Sequence, residues 1–490
     1  MFTSRSFSRR RFLGLAGGLT AGGVAAGLAG CGSGPAASTA RKPTHSASAE
    51  LPEWLREEAK QYKGRTLSVL GSEQYFATAN QDFINACQHF GQATGNTINV
   101  SMINVDTGDL VSKQAAAVKA GNVQDLGFVD SGRFVSELHQ LGALEPVTDV
   151  VTELQTRYGD AHPINKIYLT YGPKKDWYGI PYFSLVNGFF ARKDWLREKG
   201  IKTSELKTYD DARSVAMELS DAASQRYGWG ITYNGSGDGA GAVEAVLNAY
   251  GAAVADNTGT KVIFGNGSET KEAVTWMAET YGSSKYSKML PPGIASWLDT
   301  SNNQAWLAGL VGITANAFSL YAQSRAENNP VYGNTYLFGG LTGPATSEVI
   351  DIADSEAFVV FKGAKEPGLA KLLAKYLVYG SPLLTMVKQS VGLILPAYEE
   401  IWTSNPFYLN GDPAFKSEHR VLDEPLPIKT TTGLSFPQTP SPGTDAVNSA
   451  YPICDMVGQI VTKKATIDEA IATCRQRIVQ IFEQQGYPQS

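Results

Sequence analysis

Polar and aromatic residues stand where an alternating strand–helix chain would expose them. Glu73 and Gln74 follow a short apolar strand, and Asp130 and Arg133 follow another. Asn234 comes after a strand and before a helix, and Trp297 and Asp299 precede a segment with helix-start spacing. Asn316 follows the apolar run 310–315 and stands equally well as a cap for the next helix. Carboxylate, carboxamide and guanidinium groups are planar and make paired hydrogen bonds to hydroxyls, while aromatic faces cover apolar C–H surface. That is the chemistry of holding a small polar molecule without breaking a bond in it. For each polar residue the alternative is a solvated surface group or a helix cap.

Constellations for other chemistry are missing from the sequence. The five His are scattered, with no HxxxH or HxH spacing, so no metal site is expected. There is no GxSxG and no zinc helix. A glycoside hydrolase, the rival from another class, needs two carboxylates across a cleft. Glu356 and Glu399 are available, but no spacing marks them as a pair. Gly237-x-Gly239-x-x-Ala242 fits a dinucleotide fingerprint, with Asp256 downstream. A hinge or ligand-facing loop accounts for the same glycines, and no cofactor is expected. A net charge of -5 without a basic stripe gives no reason to expect nucleic acid. No Tyr-Tyr pair offers itself to ferric iron.

The elements that must position these residues follow an α/β pattern. Residues 67–70, 98–103 and 125–129 read as strands, with helices over 78–93 and 109–120 between them. In a doubly wound sheet, ligands meet the loops at the carboxyl ends of the strands. Further on, helices are expected over 209–220, 242–250 and 366–379, and strands over 229–233 and 310–315. Ser301 to Gln304 has capping-box spacing, with Gly309 as the stop, and Thr466 to Glu469 opens a C-terminal amphipathic helix. Residues 405–443 are rich in Pro, Gly and Thr and read as long loops. Cys87 reads as a buried thiol beside Phe83 and Phe90, and Cys454 is within possible reach of Cys474.

The N-terminus carries an address. Ser8-Arg9-Arg10-Arg11-Phe12-Leu13 is a twin-arginine export motif, a Gly/Ala-rich apolar run follows, and Leu28-Ala29-Gly30-Cys31 resembles a bacterial lipobox. Arg9 and Arg10 are the export residues, and Cys31 is the expected site of acylation. Residues 1–31 are then a signal and 32–59 a flexible tether. The remaining roughly 460 residues exceed one compact core, so two lobes are expected.

Several segments resemble the carbohydrate-type extracellular solute-binding proteins of ABC importers, the maltose-binding-protein class. They are Trp177-Tyr178-Gly179-Ile180-Pro181-Tyr182, Phe190 to Leu196 with Gly200-Ile201, Thr208 to Ala212, Asn302 to Gly309 with Thr314-Ala315-Asn316, Phe361 to Pro367, and Leu395-Pro396-Ala397-Tyr398. Each motif is weak alone, but their order and spacing match along the mature chain. The resemblance implies a two-lobed periplasmic-binding-protein fold whose hinge is crossed more than once. It puts lobe one at 60–187 and 355–402, and lobe two at 188–354 and 403–490. It adds Tyr182, Phe183 and Ser184 at the first crossing, Phe318 after Asn316, and Phe436 in a late cleft loop to the ligand-binding candidates. It implies capture of a sugar or related solute by lobe closure and delivery to an ABC permease, by a monomeric, lipid-anchored, non-catalytic protein outside the cytoplasm. A polyol, phosphate ester or small peptide is the alternative solute. One departure is the stretch Phe183 to Gly188, which has fewer polar groups than the family pattern.

Overall fold

A computed structural model of the chain describes residues 51–73, 77–103, 110–338, 340–345, 349–389, 394–403, 428–431 and 441–489. Among the described residues, thirteen strands form two sheets and a small hairpin. They are β1 (Thr66–Ser72), β2 (Thr97–Ile103), β3 (Leu126–Val129), β4 (Thr170–Tyr171), β5 (Asp176–Trp177), β6 (Ile180–Val186), β7 (Gly188–Arg192), β8 (Tyr227–Trp229), β9 (Val311–Asn316), β10 (Thr335–Phe338), β11 (Val349–Val360), β12 (Leu395–Pro396) and β13 (Ile428–Thr431).

The first sheet runs β12-β6-β11-β3-β1-β2, with β13 beside β11. Its start is built as expected. β1 pairs in parallel with β2 and β3, and each connection carries a helix. In the helix Ala77–Thr94, Ala79, Phe83, Cys87 and Phe90 recur at helical spacing and are all buried. Phe83 lies 5.5 Å from Phe128 of β3, which ties that helix to the sheet. The long strand β11 then enters antiparallel between β3 and β6. The second sheet runs β10-β7-β9-β8. The helices Tyr209–Leu219, Gly237–Ala249 and Ser268–Gly282 and the C-terminal helices Pro452–Val461 and Ile467–Gln484 supply its core.

Two hydrophobic cores form, and the first, centred on the first sheet, also takes in Phe190 of β7 and Val311 of β9. The chain passes from the first sheet to the second between β6 and β7, and returns between β10 and β11. Sequence-based boundaries differ from this arrangement in detail. Ala305, Trp306, Val311, Phe318 and Leu320, expected in lobe two, belong to the first core. β13, also expected there, pairs with β11 of the first sheet. Residues 51–59, expected within the tether, include a helix, Glu53–Ala59, whose Leu55 and Ala59 are buried.

Local signals fared unevenly. The Thr466 box forms as read, since Thr466 Oγ1 accepts from Glu469 N–H at 3.3 Å and Glu469 Oε2 accepts from Thr466 N–H at 3.0 Å. Gly309 ends its helix at φ +70°, the left-handed region that glycine enters without steric cost. The Ser301 box does not form. Ser301 is already helical, and its hydroxyl accepts from Leu298 N–H at 2.9 Å. The helix read as starting at 242 starts at Gly237. Cys454 and Cys474 are free, buried thiols, not a bridge. Among the described residues no helix is long and apolar enough to cross a membrane.

Candidate functional site

The passage from β6 to β7 organises the polar residues. Leu185, near the end of β6, pairs with Asp354 of β11, and Gly188, the first residue of β7, pairs with Asn316 of β9. Three residues span at most about 10 Å. A polar cluster in each sheet is therefore hung on the same short segment. Gly188 is required there, because a Cβ would lie 2.9 Å from the Phe318 ring.

On the second-sheet side the cluster centres on Asp238, in the first turn of the helix Gly237–Ala249. Its carboxyl accepts from Asn302 Nδ2 at 2.6 Å and from Asn316 Nδ2 at 3.3 Å. Asn316 Nδ2 also donates to Asn303 Oδ1 at 3.1 Å, and Asn316 Oδ1 accepts from Ser319 Oγ at 2.9 Å. Asp299 caps the same helix, accepting from Gly237 N–H at 3.3 Å and from Asp238 N–H at 2.9 Å. Burial, and secondarily the Asp299 charge, push the Asp238 carboxyl up to about 8, against the two donating amides. At neutral pH it is largely a neutral acid that can both donate and accept. Asn234 completes the group, with Nδ2 donating to the Trp297 carbonyl and Oδ1 accepting from Ser236 Oγ at 2.8 Å.

This arrangement also disposes of the dinucleotide reading. The helix N-terminus that would face a pyrophosphate is taken by the Asp299 carboxylate. Gly239 is there for close packing, since a Cβ would sit 2.3 Å from the Asn234 carbonyl oxygen.

On the first-sheet side, Asp354 Oδ2 accepts from Ser131 Oγ at 2.6 Å and Oδ1 from Gly132 N–H at 3.0 Å, at the start of the helix Gly132–Gln140. Arg133 interacts electrostatically with Asp354 and Asp130, and its side chain bonds Tyr451. Two further contacts join that helix to Pro442–Ala450. Ser136 Oγ donates to Asp445 Oδ2 at 2.5 Å, and Ser449 Oγ to Glu137 Oε1 at 2.8 Å. Burial raises the carboxyls of Asp354 and Glu137, and pushes Asp445 up to about 7.

One aromatic residue touches both cores. Trp297 is partly exposed and packs against both hydrophobic cores. Its neighbour Leu298 is 66% exposed. A separate polar pocket of about 340 Å³ is lined by Tyr233, Asn234, Ala295, Cys454, Asp455 and Lys464 among others, all from the second-sheet half.

Of the sequence candidates, Asn234, Trp297, Asp299 and Asn316 come together in the Asp238 network, and Asp130 and Arg133 gather around Asp354. Glu73 is exposed at the end of β1, its N–H donating to the Ile103 carbonyl. Three aromatic candidates require correction. Tyr182 and Phe183 are fully buried, stacked on each other at 3.6 Å, with Tyr182 packed on Phe358 at 4.5 Å. Phe318 is buried edge-on to Phe190 at 5.1 Å. They are core residues because both faces of β6 are covered. Ser184 is buried too, accepting from Asn165 Nδ2 at 3.1 Å, and Asn165 Oδ1 in turn accepts from Ser355 Oγ at 2.6 Å. Arg9, Arg10, Cys31, Gln74 and Phe436 lie outside the described residues. The reading of the sequence missed Asp238, Asn302, Asn303, Asp354, Asp445 and Tyr451. A signal did exist for Asp354, which stands with Asp351 and Glu356 among the apolar residues of β11.

Known proteins share this architecture. The model of the family described as bacterial extracellular solute-binding protein matches residues 85–406. A solute-binding protein of an ABC transporter from Thermotoga lettingae, bound with alpha-D-tagatose, is 18% identical. It covers 86% of this chain and 100% of its own, at a TM-score of 0.69. Maltose-bound MalE3 of T. maritima is 15% identical, covering 85% of this chain and 99% of its own, at 0.70. A solute-binding protein of Agrobacterium radiobacter in complex with ribitol is 15% identical, with 86% and 99% covered, at 0.70. No curated protein matches the sequence of this chain. The likeness to the solved structures establishes the periplasmic-binding-protein fold. With two-thirds of its length matched by the family model, the chain belongs to the bacterial extracellular solute-binding proteins.

Proposed function

We propose that the protein is the solute-capturing component of an ABC importer, and that its solute is an uncharged polyhydroxylated molecule, a sugar or polyol. The observation that carries this reading is the position of Trp297, an aromatic residue that touches both cores and is tied through its carbonyl to Asn234 of the Asp238 cluster. An aromatic face takes the C–H side of a sugar ring, while the acids and amides take its hydroxyls. The fold-mates with bound tagatose, maltose and ribitol support the same class. A phosphate ester fits poorly. The two clusters are built mainly of acids and amides, with Arg133 as their cation among the described residues. The pocket beside Asn234 is less suited to the role, because it draws on one half only. Closure can respond only to a solute that contacts the two halves differently in the open and closed states.

In this reading the two sheets are two lobes, and the solute stabilises their closed arrangement for recognition by a permease. The twin arginines Arg9 and Arg10 direct export, and acylated Cys31 anchors a monomer to the outer face of the membrane. No covalent step is involved. The test is thermal unfolding of the protein against a panel of hexoses, disaccharides and pentitols or hexitols. A binder stabilises the folded protein by linkage, by about 2.7 kcal/mol at a hundredfold excess over Kd, and so raises its melting temperature. Trp297→Ala should keep its own melting temperature within a few degrees and lose that rise. A rise unaffected by Trp297→Ala would place the solute elsewhere.

A further inference from the structure

Three side-chain contacts join the helix Gly132–Gln140, whose Val135 and Leu138 belong to the first core, to the segment around Pro442–Ala450, whose Val447 belongs to the second. They are Ser136 to Asp445, Ser449 to Glu137, and Arg133 to Tyr451. Tyr451 also packs against the second core, and the other five are polar side chains. Tyr451 reaches this position in the left-handed region at φ +51°, a strained conformation for a residue with a side chain, at the joint between two helices. We propose that this seam is a proton-governed latch, which holds the two halves together while Asp445 is protonated and releases them when it ionises. The proposal rests on reading the two sheets as the lobes of a hinged binder.

The groups around Asp445 set the sign. Its own partner helix presents Arg133 and Glu137. β11 presents Asp354, and the helix Pro163–Leu169 and β4 present Tyr168 and Tyr171. Glu244 approaches Tyr168 from the helix Gly237–Ala249, and Tyr487 feels Asp445 from beyond the C-terminal helix. Both Tyr168 and Tyr171 are held well above their ordinary range and stay neutral. When the carboxyls ionise, Asp445, Asp354 and Glu137 gather negative charge around the Arg133 guanidinium.

Burial in the seam raises the Asp445 carboxyl from 3.8 to about 7, whereas an opened seam returns it to water. The closed form therefore holds a proton that the open form does not. The latch is fully engaged below about pH 4, weakens as pH rises, and has lost this contribution above about pH 7. Across that window the closed-to-open ratio falls by up to about tenfold per pH unit. Solute would then be held more firmly in acid surroundings than in alkaline ones.

The experiment needs no solute, so its failure is distinct from a failure of the sugar reading. Spin labels at Gln61→Cys, on the first-core side, and Glu272→Cys, on the second, report the separation of the halves in the full chain by pulsed electron resonance. In the otherwise wild-type protein, the longer-distance population should grow from pH 4.5 to pH 8. In Asp445→Asn, which keeps an acceptor for Ser136 but cannot ionise, the population should stay short and lose most of its pH slope. Ser136→Ala should enlarge the long population at pH 5. A distribution that does not move with pH, or one that moves equally in Asp445→Asn, overturns the proposal.

Discussion

Asp238→Asn tests the electrostatics of the second-sheet cluster. Asn keeps an oxygen to accept from Asn302 and Asn316, but removes the charge. In the folded protein the carboxyl is raised from 3.8 to about 8, chiefly by burial and then by Asp299. The stability this group contributes is therefore fully present below about pH 4 and is lost as pH rises through about 8. The limiting slope is about 1.4 kcal/mol per pH unit. The residue as a whole is only partly buried, and water access reduces the effect, so about 1–3 kcal/mol in total is the reasonable magnitude. For a folding unit of this size that corresponds to a melting-temperature difference of about 2–12 °C. The assay is thermal unfolding of both proteins at pH 5, 7 and 9, followed by far-ultraviolet circular dichroism. The variant should be equal or slightly less stable at pH 5 and more stable at pH 9. Parallel pH profiles would refute the reasoning, because Asp445 and the remaining titrating groups are common to both proteins.

Gly239→Ala should lower stability by about 2 kcal/mol or more, since its Cβ would meet the Asn234 carbonyl oxygen at 2.3 Å; denaturant unfolding measures this. Lys375 is 8% exposed and donates to Glu58 at 3.0 Å and to Glu153. Replacing it by Met leaves Glu153 to Arg157 alone and takes this donor from Glu58, and should cost about 1–3 kcal/mol; the same unfolding assay at neutral pH checks it. The thiols of Cys87, Cys454 and Cys474 are buried and raised above their ordinary range. A thiol reagent should leave them unreacted in the native protein and label all three after denaturation, whereas two of them missing from the denatured count would reveal a bridge.

The Thr466 box and the Gly309 stop were legible because each depends on contacts within a few residues, and the parallel βαβ start because each of its strands and helices carries its own hydrophobic period. The Gly-rich run 235–241 was read as a loop, since glycine is a poor helix former. It is helical from Gly237 because Ser236 Oγ accepts from Gly239 N–H at 3.1 Å and Asp299, sixty-one residues from Asp238, takes the next free N–H groups. No local pattern announces a cap supplied from that distance. The aromatic candidates divided for a similar reason. Tyr182 and Phe183 stack on each other in a strand that is buried throughout this stretch, so their residue types carry no sign of exposure. Trp297 differs only in sitting where the two cores meet. Asp445 escaped notice because its partner, Ser136, is 309 residues away.

The central claim is that one uncharged polyhydroxylated solute is held between the two halves and released unchanged. Isothermal titration of the protein with sugars and polyols, followed by chromatography of the recovered solute, tests it most directly. At least one of these solutes should bind at a single site, with an affinity at least tenfold weaker in Trp297→Ala, and be recovered intact. Silence across the panel, or recovery of a cleaved product, would contradict the account.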